Sequence, residues 1–315
     1  MARAFLFPGQ GAQTVGMGKD LAAAYPAAKA VFDEVDEALG EALSALIWEG
    51  DQDELTLTRN AQPALMAMSM AVMAALKAEG AGVEAASFVA GHSLGEYSAL
   101  AAAEAITVGD AAKLLRLRGE AMQAAVPVGE GAMAALLGLD YEAVKKIARD
   151  AAGRQVLAAA NDNDPGQVVV SGAKAAVERA VALAQERGAK RAVMLPVSAP
   201  FHCRMMEPAA AAMAEALSHV SIERPKVPLV ANVLAHDVSD PATIRSLLVE
   251  QVTHVVRWRE SVAWMAAHGV TETWEIGAGK ALSGMVRRID RSLETRAVSG
   301  PEDVKLAVES MGEGA

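Results

Sequence analysis

The chain has 315 residues, of which 52% are hydrophobic and 4% aromatic, and it carries a formal net charge of −10. This length predicts one or two domains, and an acidic chain without a basic run excludes nucleic acid as a partner, because phosphate binding needs a basic surface. A single cysteine, Cys203, excludes an intramolecular disulfide and a cysteine-rich metal site, so we predict that no metal is bound.

The N-terminal segment has the pattern of a short strand followed by a glycine loop. Residues 4–7 are apolar, and the loop after them has glycines at positions 9, 11, 16 and 18. This spacing does not give G-x-G-x-x-G, and no G-K-[ST] follows, so the segment does not fit a nucleotide site. The apolar run is too short for a signal peptide, and we expect a cytoplasmic protein.

Helical patterns follow at 20–47, with Pro26 in the first turn of the second helix, and at 62–79. The apolar segment 64–80 is short for a membrane span and carries Ser69, Lys77 and Glu79. We therefore predict a buried helix and no membrane association.

A strand at 86–93 leads into Gly-His-Ser-Leu-Gly at 91–95 and then into a helix. G-x-S-x-G between a strand and a helix is typical of a nucleophile elbow, where a sharp turn exposes the serine hydroxyl and the helix N-terminus faces a developing anion. Ser93 is therefore a candidate nucleophile. The alternative is an ordinary strand–helix turn in which Ser93 is the helix N-cap.

The next predicted helix, 108–125, carries a charge on its apolar face. Helical spacing places Arg118 on the same stripe as Leu115, whereas Arg116 lies on the polar stripe and is expected to be a solvated surface charge. An unpaired buried guanidinium is costly. Arg118 is therefore either part of an internal salt bridge or a site that holds an anionic substrate by two hydrogen bonds.

Between 128 and 197 the pattern changes to short strands and two helices. We predict strands at 131–139, 155–161, 166–172 and 190–198, helices at 140–153 and 173–188, an N-cap at Asp140 and a turn at 162–165. The order β-α-β-β-α-β is that of the ferredoxin-like unit. We therefore predict a small domain of residues 128–197, inserted into a main domain of residues 1–127 and 198–315.

The remaining pattern predicts helices at 204–218, 241–252 and 258–268, a strand near 227–232 and a last core strand at 270–277. Alternating strands and helices indicate an α/β main domain with a parallel sheet. His202, in a loop between a strand and a helix, is the best candidate base for Ser93, although a loop histidine can also be structural. No carboxylate between them is a convincing third triad member, which argues against a standard α/β-hydrolase.

Taken together, these motifs resemble the malonyl-CoA:acyl carrier protein transacylase family over essentially the whole chain. The matching stretches are FPGQGAQTVGMG at 7–18, QPAL at 62–65, GHSLGEYSAL at 91–100, RLRG at 116–119, GAMAALLGL at 131–139, PGQVVVSG at 165–172, LPVSAPFHC at 195–203 and EIGAGKALSG at 275–284. The resemblance implies an α/β-hydrolase-like main domain with a parallel sheet and an inserted ferredoxin-like small domain.

The resemblance also implies roles for single residues. Ser93 would carry the malonyl group as an ester, and His202 would activate it. Arg118 would hold the free malonyl carboxylate. The backbone carbonyl of Gln251 would orient His202, which would explain the missing acidic residue.

Four further positions follow from the same resemblance. The backbone N–H groups of Gln10 and Leu94 would form the oxyanion hole. Asn161 would line the pocket. Phe201, next to the base, would crowd an α-methyl group and so favour a malonyl over a branched substrate.

The implied reaction is a ping-pong transfer of the malonyl group from malonyl-CoA, through Ser93, to the phosphopantetheine thiol of acyl carrier protein. It supplies fatty acid synthesis, needs no cofactor and would be carried out by a monomer. One alternative is a discrete malonyl acyltransferase of a polyketide pathway, and another is a serine thioesterase or esterase. Arg118 argues for either acyltransferase and against the serine thioesterase or esterase, because a general esterase has no use for a buried cation.

Overall fold

Two β-sheets organise the chain in the computed structural model, which describes residues 2–197 and 199–312. The described residues form strands β1 (Ala2–Phe7), β2 (Phe88–Gly91), β3 (Gly131–Leu137), β4 (Leu157–Asp164), β5 (Gln167–Ala173), β6 (Arg191–Met194), β7 (Leu229–Val230), β8 (Asp237–Val238), β9 (Val270–Ile276) and β10 (Glu294–Val298). The larger sheet has the order β10-β9-β1-β2-β7-β8 and is parallel except for the pair β7–β8. The smaller sheet has the order β4-β5-β3-β6 and is antiparallel.

Helices surround both sheets. They are α1 (Lys19–Ala24), α2 (Pro26–Leu39), α3 (Leu43–Glu49), α4 (Gln52–Thr56), α5 (Thr58–Ala78), α6 (Gly95–Ala102), α7 (Val108–Ala124), α8 (Tyr141–Ala152), α9 (Lys174–Glu186), α10 (Glu207–Ser218), α11 (Pro241–Gln251), α12 (Trp258–Ala267), α13 (Ala281–Ile289) and α14 (Pro301–Gly312). The predicted cap is present at α8, where the Asp140 side chain accepts a hydrogen bond from the Ala143 N–H.

The smaller sheet and its two helices confirm the β-α-β-β-α-β unit predicted between the two parts of the main domain. Helices α8 and α9 pack on one face of this sheet through residues such as Val144 and Val177. The opposite face carries Met133 and Val169 and packs against Phe201. The second face is therefore turned toward the loop that holds His202.

Two predictions about strands were wrong. The turn predicted at 162–165 lies at 165–166, because β4 continues to Asp164 by pairing with Gln167 of β5. Its other edge pairs with a distant segment: the Asp162 N–H donates to the Val256 carbonyl, and the Val256 N–H donates to the Ala160 carbonyl. The strand predicted at 270–277, β9, is not the last strand, since β10 follows it and pairs with it in parallel at the edge of the sheet. The hairpin strand β8 was also not predicted.

Helix α5 is long and apolar enough to cross a membrane by length and composition, but 83% of its most apolar window is buried inside the protein. It begins at Thr58, earlier than predicted, and so contains Pro63. Proline has no N–H to donate to the carbonyl of Arg59 four residues back. Arg116 donates to that carbonyl instead, at 2.9 Å, and also pairs with Glu41. The prediction that Arg116 is a solvated surface charge was therefore wrong.

Strand β4 anchors the small domain to the main domain through two acidic side chains near its end. Asp162 is buried and accepts three hydrogen bonds from Arg259, the shortest at 2.7 Å. Asp164, also buried, accepts from Arg288 at 2.7 Å. Two ion pairs, each with its own buried carboxylate, therefore hold the small domain against α12 and α13.

Replacing Arg259 by Gln should destabilise the protein by roughly 1–3 kcal/mol, because the Asp162 carboxylate would stay buried without its charged partner. The matched control is Arg187→Gln, which removes the more exposed ion pair with Asp150 and should cost less than about 1 kcal/mol. Urea unfolding gives both free energies of unfolding. Equal losses in the two variants would contradict the anchoring role of Asp162.

Candidate active site

Ser93 lies in a sharp turn between β2 and α6, at the carboxyl edge of the parallel sheet. Its φ is 53°, a conformation that costs a non-glycine residue energy. Glycine is needed on both sides, since a Cβ on Gly91 would lie 1.9 Å from the Gly95 carbonyl carbon, and a Cβ on Gly95 would lie 2.2 Å from the Phe7 oxygen. The N-cap of α6 is Leu94, not Ser93, so the Ser93 hydroxyl is available for other partners.

The Ser93 hydroxyl lies 2.8 Å from Nε2 of His202. The other ring nitrogen of His202, Nδ1, lies 2.9 Å from the backbone carbonyl of Gln251. A carbonyl can only accept, so Nδ1 carries the proton and Nε2 is left to accept from Ser93. Burial, followed by the positive charge of Arg118, lowers the pKa of His202 to about 3. The imidazole is therefore neutral and can take the serine proton.

Arg118 extends from α7 to the same point and is 1% exposed. Its Nη1 donates to the Gln62 side-chain oxygen at 2.8 Å. Its Nη2 donates to the Gln251 side-chain oxygen at 2.9 Å and to the Ser93 hydroxyl at 3.2 Å. All three acceptors are uncharged, so within the described residues the internal salt bridge considered from the sequence is not formed. Among the residues that the structure describes, the guanidinium therefore lies beside the Ser93 hydroxyl without a carboxylate bound to it.

The Arg118 guanidinium also faces an aromatic ring, the ring of Tyr97, with 5.8 Å between its central carbon and the ring centroid. Burial raises the pKa of Tyr97 to about 12, so the phenol stays neutral. Burial lowers the pKa of Arg118, but an arginine remains charged in proteins. The site therefore holds a buried cation next to a serine hydroxyl.

The sequence reasoning missed two polar residues that hold this arrangement, Glu96 and Asn232. Asn232, just after β7, accepts from the Ser93 N–H at 2.8 Å and donates to the Gly91 carbonyl at 2.6 Å, which fixes the turn. Glu96 accepts from the Gln251 side-chain nitrogen at 2.8 Å and from the Asn232 N–H at 3.2 Å. A carboxylate on a helix as apolar as α6 was the signal that could have indicated Glu96, just as an apolar stripe indicated Arg118.

The glycine loop after β1 packs against the serine turn. A Cβ on Gly9 would lie 2.9 Å from the backbone oxygen of His92, which leaves no room for a side chain. This contact places the next residue, Gln10, beside the turn that ends at Leu94. Among the backbone hydrogen bonds of the described residues, neither the Gln10 nor the Leu94 N–H has an acceptor.

The two remaining predicted residues have less contact with this centre. Asn161 is buried in β4, where its backbone pairs with Val256, and its contacts do not connect it with Ser93. Its neighbour Asn163 does reach the serine turn, with its side-chain oxygen 2.8 Å from Nε2 of His92. Phe201, half-buried, packs between the main core and the small sheet.

The chain is similar over almost its full length to proteins of one family. The model of the acyl transferase domain matches residues 4–299. A malonyl CoA-acyl carrier protein transacylase of Bacillus subtilis is 50% identical, with 98% of this chain and 97% of the relative covered. The crystal structure of an acyl-carrier-protein-S-malonyltransferase from Bartonella henselae is 54% identical with a TM-score of 0.97, covering 99% of this chain and 100% of that one.

A third similar protein was solved with its partner. It is a malonyl-transacylase in complex with its type II PKS acyl-carrier protein, 41% identical to this chain with a TM-score of 0.95. The match covers 98% of this chain and 100% of that one.

Phenylmethanesulfonyl fluoride, an uncharged serine reagent, should modify Ser93 at a nearly constant rate between about pH 5 and pH 8. The reason is that the pKa of His202, lowered to about 3, keeps the imidazole able to accept a proton over this range. The rate is measured by intact mass, with Ser93→Ala as the unreactive control. A modification rate that falls as the pH is lowered through an ordinary histidine pKa of 6.5 would contradict a neutral, buried His202.

Proposed function

The chain belongs to the acyl transferase domain family and, within it, to the malonyl-CoA:acyl carrier protein transacylases, and we infer that it moves the malonyl group of malonyl-CoA to acyl carrier protein. Fatty acid synthesis is the role of this family. The observation that carries this function is the buried Arg118 guanidinium, 3.2 Å from the Ser93 hydroxyl. Such a cation suits an acyl group that itself ends in a carboxylate.

In the first half-reaction, the Ser93 hydroxyl oxygen attacks the thioester carbonyl of malonyl-CoA while its proton passes to Nε2 of His202. The C–S bond then breaks, and the CoA thiolate leaves as the thiol with that proton. The product is a malonyl ester on Ser93. The distance of 2.8 Å between the hydroxyl and the imidazole supports this proton transfer.

In the second half-reaction, the phosphopantetheine thiol of acyl carrier protein gives its proton to His202 and attacks the ester carbonyl. The C–O bond breaks, and the Ser93 oxygen takes the proton back. One thioester is exchanged for another through an oxygen ester, so the reaction needs no energy source. We propose that it needs no cofactor either.

The negative oxygen that develops in both steps needs donors. We propose the backbone N–H groups of Gln10 and Leu94, because both adjoin the serine turn and neither has another acceptor among the described backbone hydrogen bonds. We also propose that Asn161 and Phe201 line the pocket for the acyl group. Phe201 precedes the base and would crowd an α-methyl group, which favours malonyl over branched substrates.

Some features of the protein as a whole are proposals of the same kind. We propose that the main domain comprises residues 1–127 and 198–315, the small domain residues 128–197, and that the enzyme acts as a cytoplasmic monomer. The separate antiparallel sheet between Gly131 and Met194 supports the division.

A second candidate function is malonyl transfer for a polyketide pathway. It is favoured by one observation, the similarity to a malonyl-transacylase solved with its type II PKS acyl-carrier protein. The chemistry at Ser93 would be the same, and only the carrier protein would differ. Comparing the transfer rates to carriers of the two pathways would distinguish the functions.

The central test is the covalent intermediate. On incubation with malonyl-CoA, the protein should gain the mass of one malonyl group, and the Ser93→Ala variant should not. Holo acyl carrier protein should then remove the group and become malonylated itself. Rapid release of free malonate without an adduct would instead indicate a hydrolase.

Replacing Arg118 by Ala should reverse the substrate preference. Malonyl transfer should fall by at least roughly a hundredfold, as expected when a buried charged hydrogen-bonding partner is lost, while acetyl transfer should rise relative to the wild type. The two rates are compared with malonyl-CoA and acetyl-CoA in the same carrier assay. An unchanged ratio would mean that Arg118 has only a structural role.

A further inference from the structure

The side chain of Gln251 stands between two buried charges. Its oxygen accepts from Arg118 at 2.9 Å, and its nitrogen donates to Glu96 at 2.8 Å. A carboxylate only accepts hydrogen bonds, and a guanidinium only donates them. This is therefore the one orientation of the Gln251 amide that satisfies both groups. Gln251 therefore links the carboxylate to the guanidinium and at the same time keeps them apart.

Neither charge has a charged group bound to it directly. The hydrogen bonds of Arg118 in the described part of the chain go to two amide oxygens and a hydroxyl, and Glu96 accepts from an amide nitrogen and a backbone N–H. Both residues are 1% exposed. A buried cation needs a compensating negative charge, and Glu96 is the carboxylate placed to supply it, at a distance of one amide group.

We propose that Glu96 is the counter-charge of Arg118 in the free enzyme and that the carboxylate of the malonyl group replaces it, with Glu96 taking up a proton from solvent when the substrate binds. Glu96 thereby becomes a specificity-determining residue for dicarboxylic acyl groups. This inference rests on the proposed function, since it assumes that Arg118 receives the malonyl carboxylate.

The reason for the replacement is electrostatic. A single buried guanidinium balances one negative charge. The carboxylates of Glu96 and of the malonyl group would repel each other if both were charged close to it. Because Glu96 is held one amide group away, no carboxylate takes up the Arg118 donors among the described residues: Nη2 reaches the Ser93 hydroxyl at 3.2 Å, and Nε has no hydrogen-bond partner. The proton taken up on binding would be released when the malonyl group leaves on the carrier thiol, so the cycle returns to its starting charge.

The other titratable groups around Glu96 do not change charge near neutral pH. Burial lowers the pKa of His202 to about 3 and raises that of Tyr97 to about 12. Arg118 stays charged, and burial lowers the pKa of His92, which keeps this imidazole neutral. For Glu96, burial raises the pKa to about 7, against the opposing effect of Arg118. Glu96 is therefore the group in this cluster that titrates near neutral pH.

The test is the pH dependence of the malonyl-to-acetyl preference. Second-order rate constants for acylation of Ser93 by malonyl-CoA and by acetyl-CoA are measured between about pH 6 and pH 8.5. Their ratio cancels the titration of the CoA phosphates and of groups that affect both substrates. In the wild type the ratio should fall roughly tenfold as pH rises, the effect of about one pKa unit of coupling between two carboxylates.

The key variant is Glu96→Gln, which has nearly the same shape and keeps an oxygen for the Gln251 and Asn232 donors but carries no charge. Its malonyl-to-acetyl ratio should be independent of pH. The matched control is Glu275→Gln, which neutralises another buried carboxylate, one that binds only backbone N–H groups at the start of α13. This control should keep the wild-type slope. A flat ratio in the wild type, or the same slope in Glu96→Gln, would overturn the proposal.

A second measurement needs no change at Glu96 and so does not depend on that variant folding. Malonyl-CoA is titrated calorimetrically into the Ser93→Ala protein at pH 7, in two buffers of different ionisation enthalpy, with acetyl-CoA as the reference ligand. Proton uptake should be larger with malonyl-CoA, and equal uptake would count against the proposal. If no malonyl adduct forms on the wild type, the proposed function fails; if the adduct forms but neither readout distinguishes the substrates, only the role of Glu96 fails.

Discussion

The site depends on keeping one guanidinium charged inside the protein without a carboxylate bound to it. A direct salt bridge would stabilise Arg118 more simply, but it would occupy the hydrogen-bond donors that an anionic acyl group needs. The fold surrounds the cation with two amide oxygens and an aromatic ring instead. These neutral groups hold the guanidinium in place and leave it without a bound carboxylate among the described residues.

Gln251 shows how few residues the arrangement uses. Its backbone carbonyl fixes the tautomer of His202, while its side chain fixes Arg118. The base and the cation are thus positioned by a single residue at the end of α11. Ser93 and His202 both have positive φ, at 53° and 59°, so these two side chains lie on strained backbone that the surrounding contacts maintain.

Much of this could be predicted from local sequence patterns. Ser93 is indicated by a motif between a strand and a helix, and Arg118 by its place on an apolar stripe. Each of these signals lies within a few residues of the position that it indicates. What was missed depends on contacts between distant segments. Val256 pairs with the outer edge of β4 although it lies nearly one hundred residues further along the chain, and Arg116 binds a carbonyl that Pro63 leaves without a backbone donor. Periodicity carries no information about such pairings.

The anchoring of β4 has a consequence for how the two substrates reach Ser93. The small domain is tied to the main domain by two ion pairs whose carboxylates are buried, and Asn163 ties it to the residue beside the nucleophile. Moving the domains apart would strand those carboxylates and pull on the serine turn itself. We therefore expect both half-reactions to proceed on one fixed arrangement of the two domains around Ser93, without a hinge motion between them.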